Sequence, residues 1–285
     1  MRIYACCDND SLKYSLQIFS FCDHQLSDAP TLLNVIEDYS VAKNNFIGSI
    51  PESYFQNESL SSIDFSGCGL TGGFSWAVNE NSALTNINFS SNNLDGFLPQ
   101  QIQMISGLKV LNLESNAFFG PLPNQLFGLP LTDLSIGGNN FDGAIPEDIA
   151  NLSALTSLSL GPNLFTGDIP ASLSALTNLE RVSVVGIPSL GGRLPASYGI
   201  SLTNLIGLSI SNTNVDGNIP PQFSMLTNLK TLRLNNNSLR GIIPSSVRMM
   251  SNLGKTLLSE FVVAQSGRIG VVVYFLTELF FVLKI

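Results

Sequence analysis

The stretch Leu229 to Pro244, LKTLRLNNNSLRGIIP, decides the fold of this chain. Its apolar and turn-forming residues stand at fixed offsets, and the same offsets recur in three stretches upstream. These stretches are LTSLSLGPNLFTGDIP at 155–170, LTDLSIGGNNFDGAIP at 131–146 and LKVLNLESNAFFGPLP at 108–123. Self-similarity at a fixed period indicates a repeat architecture in which each unit stacks on its neighbours.

Each offset has a physical role. Leu232 and Leu234 have the spacing of a short strand that places both leucines on one face. Asn237 is a polar residue in an apolar frame, and its carboxamide can satisfy backbone groups where the chain leaves the strand. Gly241 suits a backbone with positive φ, and Pro244 can open a short helical segment. One unit cannot bury its own leucines, whereas stacked units bury them in a continuous row.

The pattern resembles the plant-type leucine-rich repeat, L-x-x-L-x-L-x-x-N-x-L-x-G-x-I-P, in nine consecutive units over residues 33–244. The resemblance implies an α/β fold, a right-handed leucine-rich repeat solenoid. Its curved parallel β-sheet would form the concave side, and short helical or 3-10 turns would form the convex side. We predict strands near residues 63–65, 87–89, 111–113, 134–136, 158–160, 182–184, 208–210 and 232–234.

The repeat pattern divides the chain into three predicted segments. Residues 1–30 hold one degenerate repeat with His24 in the asparagine place, residues 31–253 form the solenoid, and residues 254–285 are a hydrophobic tail. Three interpretations of the apolar stretch 269–285 stay open: a truncated membrane helix, a cap on the solenoid, or sequence foreign to the repeats. The start shows no secretory signal and the pattern stops abruptly, so we expect a fragment of a longer protein.

The asparagine place of successive repeats predicts a ladder of side chains that satisfies the turning backbone. In the second unit a small buried thiol, Cys68, takes this place. Pro188 and Thr213 take it in the seventh and eighth units, where the ladder is broken or weakened. The predicted asparagine ladder consists of Asn44, Cys68, Asn92, Asn116, Asn139, Asn163 and Asn237.

Residues that flank the strand leucines are predicted to point outward on the concave side, where solenoids bind partners. They form columns of small polar side chains in which Arg181 and Arg233 are the only arginines. Residues 1–180 hold 4 Lys/Arg and 18 Asp/Glu, a net charge of −14, and residues 181–285 hold 9 and 3, a net of +6. Because arginine is favoured at interfaces, we expect a protein partner toward the C-terminal half. The candidate ligand-binding residues are Asp64, Asn88, Asn112, Arg181, Arg233 and Asn235.

Composition and motifs disfavour catalysis and nucleic-acid binding. The net charge of −8 repels nucleic acid and anionic membrane surfaces. The single histidine cannot complete a Ser/His/Asp set. The sequence GCGLTG at 67–72 lies inside a repeat and not between a strand and a long helix, as a dinucleotide loop would. We therefore predict no enzyme, cofactor or metal site. The cysteines lack zinc spacing and their disulfide state stays open; they are Cys6, Cys7, Cys22 and Cys68.

The resemblance implies a non-catalytic recognition domain of a receptor-like protein or receptor-like kinase, extracellular or at the cell surface. It would bind a protein, peptide or glycan ligand, with a co-receptor as a further partner and membrane contact only through the tail. One alternative is a soluble secreted binder resembling polygalacturonase-inhibiting proteins, and a remoter one is an ice-binding-type solenoid. Sequons compatible with secretion occur at Asn9, Asn57, Asn88, Asn151 and Asn236.

Overall fold

The structure is a computed structural model that describes residues 2–4, 37–73, 82–248, 250–254, 258–263, 271–276 and 279–283. The chain divides into two compact units, Met1–Asn140 and Phe141–Ile285, and the short strand Asn140–Phe141 crosses their boundary. The degenerate repeat predicted within residues 16–30, with His24, lies outside the described residues.

In the first unit each repeat begins with a strand of three residues whose central side chain is buried. Alternation along a strand sends the two flanking side chains to the opposite face. From Asp38–Ser40 onward each strand pairs in parallel with its equivalent one repeat away, and Arg2–Tyr4 pairs in parallel with Asp38–Ser40. The strands of this row are Arg2–Tyr4, Asp38–Ser40, Ser62–Asp64, Asn86–Asn88, Val110–Asn112 and Asp133–Ser135.

A second row of parallel strands follows the turn of each repeat in the first unit, and it consists of Thr71–Gly73, Asn93–Gly96 and Ala117–Gly120. The chain then enters a 3-10 helix directly after the repeat proline, whose fixed φ suits a helix start. These helices are Glu52–Tyr54, Gln100–Met104 and Asn124–Gly128. The proline place predicted from sequence therefore marks where each short helix begins.

The second unit repeats this plan. Its first row of parallel strands consists of Ser157–Ser159, Arg181–Ile187, Gly207–Thr213 and Thr231–Arg233. Shorter parallel pairs join Gly167–Asp168 to Leu190–Gly191 and Asp216–Gly217 to Ser238–Leu239. The 3-10 helices are Glu147–Asn151, Ala171–Ala175, Pro221–Met225 and Ser251–Gly254, and the α-helices are Ala196–Ser201 and Ser245–Arg248.

The C-terminal tail leaves the parallel pattern. Its strands Leu258–Val263, Val271–Leu276 and Leu279–Leu283 pair antiparallel. The described parts of the stretch 269–285 are strands, whereas one of its three interpretations expects a helix; Val, Phe and Tyr favour strands. Within the part of the chain that the structure describes, no helix has the length and apolar character that crossing a membrane requires.

The core of each unit is a stack of the repeat leucines. Leu111 and Leu113 are fully buried, as are their equivalents in neighbouring repeats, and each such side chain contributes ~1.5–3 kcal/mol by leaving water. Phenylalanine rings extend the stack, and the centroids of Phe65 and Phe89 lie 5.6 Å apart. Gly241 has φ of 79°, the left-handed backbone expected from its place. The predicted fold class, an α/β solenoid of leucine-rich repeats, is confirmed, and every predicted strand is found within one residue of its start.

Candidate ligand-binding face

The carboxamide of Asn116 shows how the asparagine ladder joins repeats. Its Nδ2 donates to the carbonyl of Phe89, one repeat back, at 2.8 Å, and to the carbonyl of Leu113 at 3.1 Å. Its Oδ1 accepts from the backbone N–H of Leu94, 22 residues earlier, at 3.0 Å. One side chain therefore forms hydrogen bonds with backbone groups of two adjacent repeats and joins them.

The other members make the same kinds of bonds. Asn92, Asn139 and Asn237 each donate to a carbonyl one repeat back and to carbonyls of their own turn. Asn44 donates to the carbonyl of Val41, and Asn163 accepts from the N–H of Phe141. The side chains of these asparagines are thus committed to the scaffold and not to a ligand.

Cys68 fits the asparagine place as a small donor. Its Sγ–H donates to the carbonyl of Val41, one repeat back, at 3.0 Å, and its own N–H is held by Asn92 Oδ1. Burial raises the pKa of the Cys68 thiol, so the sulfur keeps the proton that makes it a donor. The thiol is free and fully buried.

Where the ladder lacks an asparagine, longer strands carry the hydrogen bonds. The strands Arg181–Ile187 and Gly207–Thr213 are seven residues long and stay in register to the pair Ile187 and Thr213. Pro188 offers no side-chain donor, and the Thr213 hydroxyl donates to Asn237 Oδ1. Extended backbone pairing therefore replaces the missing carboxamides in this part of the second unit.

The predicted outward columns are in register within each unit. In the first unit Asp64, Asn88 and Asn112 lie on consecutive strands as paired neighbours. Each uses a side-chain oxygen to accept the backbone N–H two residues ahead, at 3.0, 3.2 and 3.1 Å respectively. The sequence placed these three residues on the face, but it did not show that their oxygens also hold the turn.

In the second unit the two arginines lie in neighbouring columns. Arg181 pairs in register with Gly207. Arg233 pairs with Ser209, which in turn pairs with Ser183, the residue two positions after Arg181 on the same strand. The Arg181 Nη1 lies 3.2 Å from Glu180 Oε2 in an exposed ion pair. Arg233 is exposed and makes no ion pair within the described residues.

Asn235, the last predicted candidate, lies two residues after Arg233. Its Oδ1 accepts a hydrogen bond from the hydroxyl of the buried Ser211 at 2.8 Å. This bond fixes the carboxamide of Asn235 against the neighbouring strand.

A second row of asparagines, which the sequence reasoning missed, runs along the start of the strands in the second unit. Asn178, Asn204 and Asn228 donate to the carbonyls of Ser153, Thr177 and Thr203, each 25 to 27 residues back, at 2.9 to 3.0 Å. The recurring L-T-N-L at 176–179, 202–205 and 226–229 was the available signal.

This row forms one side of an open groove of about 480 Å³. Glu180 and Lys230 line the groove two repeats apart, with Ile206 between them, and the carboxamides of the three asparagines are exposed. The groove is lined by Ala154, Thr156, Asn178, Glu180, Asn204, Ile206, Asn228 and Lys230. Because Glu180 directly precedes Arg181, the groove adjoins the outward column that contains Arg181. The arrangement can hydrogen-bond an extended polar chain and attract its carboxylates toward Lys230.

Comparison with known proteins identifies the repeat. Residues 130–152 and 228–250 match the family model described as Leucine Rich Repeat. The comparison with curated protein sequences gives no match.

Solved structures of plant receptor kinases are similar over most of this chain. One is the ectodomain of the Arabidopsis thaliana membrane receptor kinase GASSHO1/SCHENGEN3, solved with CASPARIAN STRIP INTEGRITY FACTOR 2. It is 28% identical, with 82% of this chain and 32% of that chain covered and a TM-score of 0.69. Another is the Arabidopsis receptor kinase HAESA, solved with the peptide hormone IDA and the co-receptor SERK1. It is 26% identical, with 80% and 38% covered and a TM-score of 0.73.

A plant ice-binding protein shares the fold, at 23% identity and a TM-score of 0.67, with 78% of this chain and 71% of that chain covered. The present chain spans only 32% and 38% of the length of the two receptor ectodomains. The chain therefore contains leucine-rich repeats and is similar in fold to the ectodomains of plant receptor kinases.

Proposed function

We propose that this chain of plant-type leucine-rich repeats is a non-catalytic recognition module that binds an acidic protein or peptide on the concave strand face of its second unit. The observation that carries the proposal is the position of Arg181 and Arg233, which lie in adjacent outward columns beside the groove that contains Lys230. Arginine pairs with carboxylates through two parallel hydrogen bonds and is enriched among residues that dominate interfaces.

The charge of each unit supports this choice of face. The described residues of the first unit, 2–4, 37–73 and 82–140, carry eight carboxylates against one arginine and two lysines, a net charge of −5. Those of the second unit from 141 to 254, leaving out 249, carry six carboxylates against six lysines and arginines, a net of zero. An acidic ligand would be repelled by the first unit and tolerated by the second, which sets both site and orientation.

The two arginines differ in the binding free energy that each can contribute to a complex with a ligand. Arg181 has to exchange the carboxylate of Glu180 for that of the ligand, but an exposed ion pair of this kind is worth only ~0–1 kcal/mol. Arg233 has no such competitor in the described structure and is ready to bind. We therefore propose Arg233 as the stronger contact and Arg181 as the second one.

The similar receptor ectodomains support a protein or peptide ligand and an extracellular location. GASSHO1/SCHENGEN3 was solved with CASPARIAN STRIP INTEGRITY FACTOR 2, and HAESA was solved with the peptide hormone IDA and the co-receptor SERK1. A co-receptor is accordingly a second candidate partner here. A secreted enzyme recovered as partner would instead favour the soluble inhibitor among the alternatives.

The proposal is tested by isolating a partner with the full chain and measuring its affinity for variants. Arg181→Ala and Arg233→Ala should each weaken binding by ~1–2 kcal/mol, and raising the salt concentration should weaken the parent complex. Asp64→Ala and Asn112→Ala are the controls on the first unit and should leave affinity unchanged. If these two variants abolish binding while both arginine variants bind like the parent, the site lies in the first unit and the proposal is wrong.

A further inference from the structure

Two phenylalanine rings stand exposed on the second row of strands in the first unit. Phe97 is 61% exposed and Phe119 is 42% exposed, and their ring centroids lie 4.6 Å apart at an interplanar angle of 62°. The phenylalanines at the repeat's own apolar place, such as Phe118, are fully buried. Neither exposed ring is needed to fill the core, so the pair forms a preformed aromatic surface.

The backbone fixes this pair in place. Gly96 pairs in register with Phe118, which brings the next residues, Phe97 and Phe119, side by side. Gly120 has φ of 81°, and a Cβ on it would lie 2.4 Å from the Phe97 ring. The ring of Phe97 therefore rests on the bare backbone of Gly120 with Phe119 beside it.

An exposed carboxylate precedes the rings in the same chain segment. Asp95 is two residues before Phe97, and both side chains are exposed. Asp95 pairs in register with Gly73 on one neighbouring strand and with Ala117 on the other. Both neighbours are small, so they leave the exposed carboxylate accessible.

We propose that Asp95, Phe97 and Phe119 bind the guanidinium group of an arginine side chain presented by a protein partner. The planar cation stacks on the ring face while its N–H groups donate to the Asp95 carboxylate. The net charge of −5 over the described first unit attracts such a basic segment. This site is independent of the proposed arginine site, because it lies on different strands and selects the opposite charge.

The test compares fluorescently labelled hexa-arginine and hexa-lysine peptides by anisotropy with the full chain at about 0.15 M salt, where long-range attraction is screened. A general acidic surface would bind both peptides equally. Because only the guanidinium combines stacking with paired hydrogen bonds, hexa-arginine should bind about tenfold more tightly.

Three variants locate the site. Asp95→Asn and Phe97→Leu should each reduce the affinity for hexa-arginine to that for hexa-lysine, since the first removes the charge and the second keeps apolar volume without the ring. Asp133→Asn removes one charge from the first unit on another face and should change the affinity for hexa-arginine less than about twofold. Equal binding of the two peptides by the parent, or equal losses in Asp95→Asn and Asp133→Asn, would overturn the proposal.

Discussion

A single carboxamide in each repeat performs a task that the leucines cannot. Asn116 accepts the N–H of Leu94 and donates to the carbonyl of Phe89, so Asn116→Ala removes the side-chain acceptor of Leu94 and one of the two carboxamide donors of Phe89 at a repeat junction. We expect the variant to lose ~1–3 kcal/mol of unfolding free energy, measured by urea denaturation.

The neighbouring asparagine Asn93 provides the matched control. Its side chain is exposed and its backbone N–H is already paired with the carbonyl of Leu70. Asn93→Ala should therefore lie within about 0.5 kcal/mol of the parent. Equal urea midpoints for Asn116→Ala and Asn93→Ala would contradict the stabilising role of the asparagine ladder.

At the scale of the element, the helix Ala196–Ser201 is tied to the preceding repeat by one buried phenol. Tyr198 Oη donates to the carbonyl of Pro170 at 2.8 Å. Burial, and after it the negative charge of Glu147, raises the pKa of the Tyr198 phenol well above its ordinary value of 10. The folded state therefore holds this proton more tightly than the unfolded state does.

The resulting pH dependence has a definite sign. The stability from the raised phenol pKa is fully present below pH ~10 and is lost as the pH rises above it. Tyr198→Phe should cost ~0.5–1.5 kcal/mol at neutral pH, because the carbonyl of Pro170 loses the phenol donor and keeps only the N–H of Leu173. The variant cannot ionise at this position, so the difference from the parent should narrow at about pH 11. Urea midpoints measured at both pH values check this, and a constant difference would contradict it.

At the scale of the whole molecule, sequence reasoning found the structural features that recur in every repeat. The strands, the buried leucines and the prolines that open the 3-10 helices recur at constant offsets, so their places could be read directly. The contact of Phe97 with Phe119 could not be predicted from the sequence. Both residues occupy positions that vary between repeats, and only the strand register brings them together. The pairing of Arg2–Tyr4 with Asp38–Ser40 also has no periodic signal, since it joins stretches far apart in the repeat frame.

The last regular repeat lies at the C-terminal end of the array, where no further repeat follows in the described residues. The Thr231–Arg233 strand belongs to the last regular repeat, and Leu232 and Leu234 in that repeat are only 3% and 4% exposed. A stack of repeats needs a partner for its last member, because each unit is stabilised by its neighbours. The antiparallel strand Leu258–Val263 lies beside Thr231–Arg233, where a further repeat would pack.

If the tail caps the array, as one of the three interpretations of this segment holds, then a chain ending after Gly254 should lose protection locally. We expect amide hydrogen exchange to accelerate across residues 229–239, by about tenfold for each 1.4 kcal/mol of local opening free energy that is lost. Residues 86–112, in the first unit, serve as the internal control and should exchange at the parent rate, because coupling in a repeat array runs between neighbours. Unchanged exchange at residues 229–239 would show that the tail does not stabilise the last repeat and would exclude the capping interpretation.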